Sequence, residues 1–140
     1  MLKKKIKYTD FNDVEREETF YFNLSKAELI ELYAEENGGF DEYIKSIVES
    51  GNNKEILATF KKIIRMAYGE KSLDGKYLKK SEELADNFCS TNAYSELVME
   101  LMSDEKAAAN FINSVIPADV KNQIDNNDNK SFIPASVKNS

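Results

Sequence analysis

The sequence predicts an α+β domain: an N-terminal antiparallel β-hairpin packed on a bundle of about five to six short α-helices, then a disordered C-terminal tail. Three observations predict it. Residues 2–24 alternate apolar and polar side chains with a period of two. Residues 26–117 carry apolar stripes at helical spacing, broken repeatedly by Gly, Ser, Thr and Asn. Residues 118–140 are rich in Asn, Asp, Lys and Ser and keep no period. The reading is one globular domain over 1–117 (hairpin 2–24, helices 26–117) and a flexible polar tail over 118–140. A chain of 140 residues buries roughly two-thirds of its unfolded surface, so it needs no metal or disulfide to hold it.

The hairpin comes first. Leu2, Ile6 and Tyr8 share one face, and Lys3, Lys5 and Lys7 the other. Val14, Phe20, Phe22 and Leu24 continue the apolar face, with Glu15, Glu17, Thr19 and Tyr21 opposite. Asp10-Phe11-Asn12-Asp13 supplies the turn. Pairing Tyr8 with Val14 sets Lys7 against Glu15 and Lys5 against Glu17, so opposite charges meet on the wet face. An isolated hairpin is marginal, and its apolar face must rest on something.

That support is helical. Ser25 with Glu28 forms a capping box, and the helix it opens runs to about Glu36, where Gly38-Gly39 stops it. A second helix starts near Phe40 or Asp41 and carries the stripe Phe40, Tyr43, Ile44, Ile47, Val48. Gly51 stands at its C-terminal cap. Asn53 opens a third, with Ile56, Leu57, Phe60, Ile63, Ile64 and Ala67 inward and Gly69 at its end. Residues 69–77 read as a polar loop. Ser81 caps a short helix carrying Leu84 and Phe88. Thr91 or Ser90 caps the next, with Tyr94, Leu97, Val98, Leu101 and Met102 inward. Ser103 starts the last, with Asp104 and Glu105 in its first turn and Ala107, Ala108, Phe111, Ile112 and Val115 inward. Pro117 closes the domain.

Composition excludes several chemistries. The chain has no His, which removes imidazole bases and metal ligands. Cys89 is the single cysteine, so no internal disulfide or thiolate zinc site forms. A net charge of −6 argues against nucleic acid. The tail carries three lysines and three aspartates, so that whole charge belongs to residues 1–117. No apolar run reaches membrane-spanning length and no signal-peptide core follows the N-terminal lysines, which suits a reducing, cytosolic setting.

The motifs that remain are weak. Gly69–Tyr77 resembles a phosphate loop, but its glycines are one residue too far apart and Tyr77 stands where a magnesium-binding Ser or Thr belongs. Asp125–Lys130 starts like a calcium loop, yet Lys130 replaces the turn glycine and Ser136 the closing Glu. Glu15, Glu17, Glu18, Glu35, Glu36, Glu82 and Glu83 sit on solvent faces beside lysines rather than in a cleft. Cys89 has no His or basic cluster beside it and reads as a structural thiol. Nothing here points to catalysis, a cofactor or a metal.

Aromatic residues are abundant, with 8 Phe and 7 Tyr, and most of them must build the core. The helices are short and numerous, so some apolar stripe stays partly open. Phe40, Tyr43, Tyr94, Met99 and Met102 are the candidate partner contacts, and each also fits a core position. The hairpin edge and any leftover stripe make self-association, as a homo-oligomer, plausible.

The order of segments is familiar. Lys7-Tyr8-Thr9-Asp10, Val14-Glu15-Arg16 and Phe20-Tyr21-Phe22-Asn23-Leu24-Ser25-Lys26-Ala27-Glu28-Leu29 resemble the start of tail assembly chaperones of long-tailed phages and prophages. Ala67-Tyr68-Gly69-Glu70-Lys71-Ser72 with Asp74-Gly75, Lys80-Ser81-Glu82-Glu83-Leu84, Ala93-Tyr94-Ser95-Glu96-Leu97 and Ala107-Ala108-Ala109-Asn110-Phe111-Ile112-Asn113 with Ile116-Pro117 fit the same group. The resemblance covers about residues 1–117 and leaves out the Asn-rich tail. It implies a non-enzymatic carrier, without cofactor, that binds and solubilises the tape measure protein and helps recruit tail tube subunits. It also implies a place in the bacterial host cytoplasm and absence from the finished virion. Such families often add a longer frameshifted form, and this chain looks like the short one. Two rival classes are a structural component of the tail or neck and a generic protein-interaction adaptor.

Overall fold

The alternation at the N-terminus becomes two long strands, β1 (Leu2–Thr9) and β2 (Glu15–Phe22), paired antiparallel. The computed structural model describes residues 1–33 and 39–117, less the side chains of Tyr33, Phe40, Asp41 and Val48. Thr9 faces Glu15, Tyr8 faces Arg16 and Lys7 faces Glu17, so the register lies two residues from the expected one. The turn is the cause. The Asp10 amide donates to the Val14 carbonyl at 2.9 Å, which makes Asp10 and Val14 the closing pair. Asp10 Oδ1 accepts from the amides of Asn12 and Val14 at 2.8 and 3.0 Å, and Asp13 takes φ 62° in the left-handed region. A shift of two preserves the faces. Lys7 and Glu17 approach to 3.8 Å on the wet side. Val14, expected on the apolar face, is exposed beside the turn.

Residues 69–77 depart from the expected loop. They hold most of a second hairpin, β3 (Tyr68–Lys71) and β4 (Leu78–Lys79), and β3 pairs with the end of β2. The sheet is four-stranded and antiparallel in order β1-β2-β3-β4. Gly69 therefore does not terminate a helix; it sits buried in β3, where β4 crosses close over it. A Cβ there would lie 2.6 Å from Leu78 Cγ and 3.0 Å from the Lys79 carbonyl oxygen. The connecting loop is tied by Ser72 Oγ, which donates to Asp74 Oδ1 and accepts from the Tyr77 amide. Gly75 supplies the positive φ, 78°.

Among the described residues there are six helices, α1 (Lys26–Tyr33), α2 (Gly39–Glu49), α3 (Asn53–Ala67), α4 (Glu82–Cys89), α5 (Asn92–Ser103) and α6 (Glu105–Val115), of which α3 to α6 pack on the strands. The capping box at α1 is complete. Ser25 Oγ accepts from the Glu28 amide at 3.1 Å, and Glu28 Oε1 accepts from the Ser25 amide at 2.9 Å. The expected end of this helix near Glu36 lies outside the described residues, and α2 begins at Gly39. Gly51 follows α2 with φ 66°, and Asn52 rather than Asn53 caps α3. Ser81 caps α4 and Thr91 caps α5. At α6 the cap is Asp104, not Ser103. Ser103 Oγ turns back to the Met99 carbonyl, and Asp104 Oδ1 accepts from the amides of Lys106 and Ala107.

The core lies between sheet and helices. Phe22, Leu24, Ile63, Ile64, Leu97 and Val115 are its largest fully buried side chains among the described residues. Phe88 is the centre of an aromatic cluster: stacked on Tyr68 at 4.5 Å, tilted against Phe20 at 5.1 Å and edge-on to Phe22 and Tyr94 at 5.6 and 6.0 Å. One cation joins three segments. Lys80 Nζ, half-buried, donates to the carbonyls of Asn23 and Met66 and pairs with Glu28 Oε1 at 2.6 Å.

Candidate functional site

Four helices leave an apolar groove open to solvent. Ile44 of α2, Ile56 and Phe60 of α3, Leu101 and Met102 of α5, and Ile112 of α6 line a cavity of about 430 Å³. A small void of about 20 Å³ shares the walls Ile44, Ile56, Phe60 and Ile112 and adds Ile47, Thr59 and Ile63.

Local sequence explains the opening. Asn52 and Asp104 cap α3 and α6, which places Asn53 and Glu105 at the polar rim. Ala108 and Ala109 form a low wall on α6, too small to fill the space. Met102 is half-buried and flexible, and its thioether suits varied apolar shapes. A core this close to closure loses contacts wherever a wall has no partner.

The candidate contacts named from the sequence separate here. Met102 lines the groove. Tyr43 is in the core, 9% exposed. Tyr94 is half-buried against Phe88, and burial pushes its hydroxyl pKa up. Met99 is 66% exposed and outside the groove lining. The Phe40 side chain lies outside the described residues. The other apolar lining residues except Ala109 belong to stripes that the sequence marked as inward-facing. Period and spacing do not say which stripe stays uncovered.

A second depression, of about 480 Å³, lies beside the hairpin and is lined by Lys7, Tyr8, Thr9, Glu15, Arg16, Glu17 and Glu96. Lys7, Arg16 and Glu17 in this lining are ion-paired. Arg16 Nε meets Asp10 Oδ2 at 2.6 Å, its Nη1 meets Glu18 Oε2 at 3.5 Å, and Tyr8 donates its hydroxyl to Glu18. The guanidinium and the turn amides hold the Asp10 carboxyl below the usual carboxylate range. The bond to Glu18 holds the Tyr8 hydroxyl protonated to higher pH. These bonds tie the turn to the two strands. Burial pushes the Cys89 thiol up, although Arg65 opposes it. Among the described residues no group of three or more Asp, Glu or Cys could hold a metal ion. Glu35, Glu36 and the Asp125–Lys130 tract lie outside those residues. No described helix is long and apolar enough to cross a membrane.

The chain is acidic overall and carries a mainly apolar groove between α2, α3, α5 and α6. The family model for phage tail assembly chaperones matches residues 1–139, and the chain belongs to that family. The match runs past Pro117 and through the Asn-rich segment, which the resemblance read from the sequence had left out. No curated protein and no solved structure matches the chain.

Proposed function

We propose that this chain binds apolar segments of the tape measure protein in the groove between α2, α3, α5 and α6, keeps that client soluble, and yields it as tail tube subunits are recruited. The observation that carries the reading is the groove itself, apolar along its walls and polar only at its rim. An amphipathic client helix laid into such a groove hides its apolar face. The acidic body keeps the complex dispersed. Contacts spread over several aliphatic side chains and one Phe, rather than concentrated in a few tight anchors, suit a complex that must come apart. In this reading the protein performs no catalysis and acts in the bacterial host cytoplasm.

Co-expression with a phage tape measure protein tests this. The expected result is a soluble client that co-purifies with the chain. Met102→Lys, at a half-buried wall of the groove, lowers capture by roughly tenfold, the effect of losing one good interface contact of about 1.4 kcal/mol. Met99→Ala, at an exposed position outside the groove, leaves capture unchanged. A client that stays insoluble beside the wild-type chain, or full capture by a folded Met102→Lys variant, refutes the reading. Detection of the chain in purified particles would make it a tail component instead.

A further inference from the structure

We infer that residues 131–137 of this chain, Ser-Phe-Ile-Pro-Ala-Ser-Val, occupy the groove between α2, α3, α5 and α6 when no client is present. That the segment competes with a client rests on the function proposed above; its docking does not.

The segment has the right chemistry. Between Ala118 and Lys130 the apolar side chains Val120 and Ile124 are isolated among Asn, Asp and Lys, whereas Phe132, Ile133, Pro134 and Val137 fall within six positions. The groove offers aliphatic and aromatic walls of matching kind in Ile44, Ile56, Phe60 and Ile112. Lys130 and Lys138 flank the apolar run. Glu105 stands at the rim, and the net charge of −6 resides on residues 1–117. Ile133 precedes proline and is biased to an extended backbone, which lowers the cost of ordering the strip.

The connection has the right length. α6 ends at Val115, and its groove residue Ile112 lies four positions before Ile116. The chain therefore leaves the helix about 6 Å along its axis from the groove wall. Fourteen residues lie between Pro117 and Phe132, a path of fifteen Cα–Cα steps. They span about 50 Å when extended and roughly 20 Å as a flexible chain. The α6 wall, 11 residues long, runs only about 16 Å. The family match continues through residue 139, so the segment belongs to the same matched unit as the groove.

A weak contact suffices. At an effective concentration of about 1 mM, an intrinsic Kd near 0.1 mM fills the groove about nine-tenths of the time. Client affinity then falls by about tenfold, because only the open fraction binds.

The test uses the full chain and the full-length variant Phe132→Asp/Ile133→Asp without client. Methyl signals of Ile44, Ile56, Met102 and Ile112 should differ between the two proteins, while those of Ile6 and Ile64 coincide. Identical groove signals overturn the inference. Differences that vanish on dilution assign the occupant to a second copy of the chain and overturn it equally. The variant should also bind the tape measure protein about tenfold more tightly. Altered groove signals with unchanged client affinity leave the docking standing and place the client elsewhere, which overturns the proposed client site alone.

Discussion

Replacing Lys80 by Met keeps an unbranched side chain, one atom shorter, and removes three donated bonds at once. The ammonium bridges the end of β2 at the Asn23 carbonyl, the last turn of α3 at the Met66 carbonyl, and α1 at Glu28. Both members of the ion pair are under one-quarter exposed, at 22% and 24%, so water replaces little of what is lost. A hydrogen bond to a charged group contributes about 1.5–3 kcal/mol, and part of that returns as the methionine packs. The net loss is about 2–3 kcal/mol, which lowers Tm by roughly 8–12 °C for a chain of this size. Glu28→Gln should cost less, about 1 kcal/mol, because the amide still accepts from Ser25. The double variant should cost less than the two singles combined, since either change removes the same pair. Thermal and urea unfolding of the four proteins measure this. A Lys80→Met variant within 0.5 kcal/mol of wild type, or strict additivity, would show that the cation merely lies near these groups.

Further predictions follow from other features. Gly69→Ala puts a Cβ 2.6 Å from Leu78 Cγ and 3.0 Å from a backbone oxygen; it should destabilise by about 1–3 kcal/mol in denaturant titration, although Ala normally suits a strand better. Asp10 has a depressed pKa in the folded hairpin, so its contribution is complete above the unfolded value, near pH 4, and is lost as pH falls through the folded value. Amide protection at Asp13 and Val14 should therefore be flat from neutral to about pH 4 and decline below, and Asp10→Asn should remove that decline. Tyr43→Ala, at a core position, should cost about 3 kcal/mol or more, and the unfolding midpoint of that variant should fall far more than that of Met99→Ala.

The face assignment of β1 and β2 was legible because a period of two survives any even shift. The register was not, because alternation is blind to a shift of two and the Asp10 side chain chose the closing pair. β3 and β4 escaped notice for a different reason. Tyr-Gly-Glu-Lys and Leu-Lys carry little strand character of their own; pairing to Tyr21 and Phe22, far away in the chain, makes the first a strand, and pairing to Glu70 and Lys71 makes the second one. Helix starts were readable where a polar side chain faced free amides, at Ser25, Ser81 and Thr91. The slips to Asn52 and Asp104 are one residue each, within reach of neighbouring polar groups. The groove was half legible. Its stripes could be read, but whether Ile56 or Tyr43 remains accessible depends on how many elements pack above each, which spacing does not encode.

Asp104 ends α5 and begins α6: its amide bonds the Glu100 carbonyl at 3.1 Å, while its carboxylate caps the next helix. Two helices that share one residue as a joint behave as a bracket, not as two levers. α6 is also riveted to the segment that follows β2 by the Leu24 amide on the Val115 carbonyl, and α3 by the Asn23 amide on the Ala67 carbonyl. Three of the four walls around Met102 are thus framed, whereas α2 packs against its helical neighbours α1 and α3. In the function proposed above, α2 is the wall expected to yield first to a guest of larger girth, because α3 and α6 carry backbone bonds to Asn23 and Leu24.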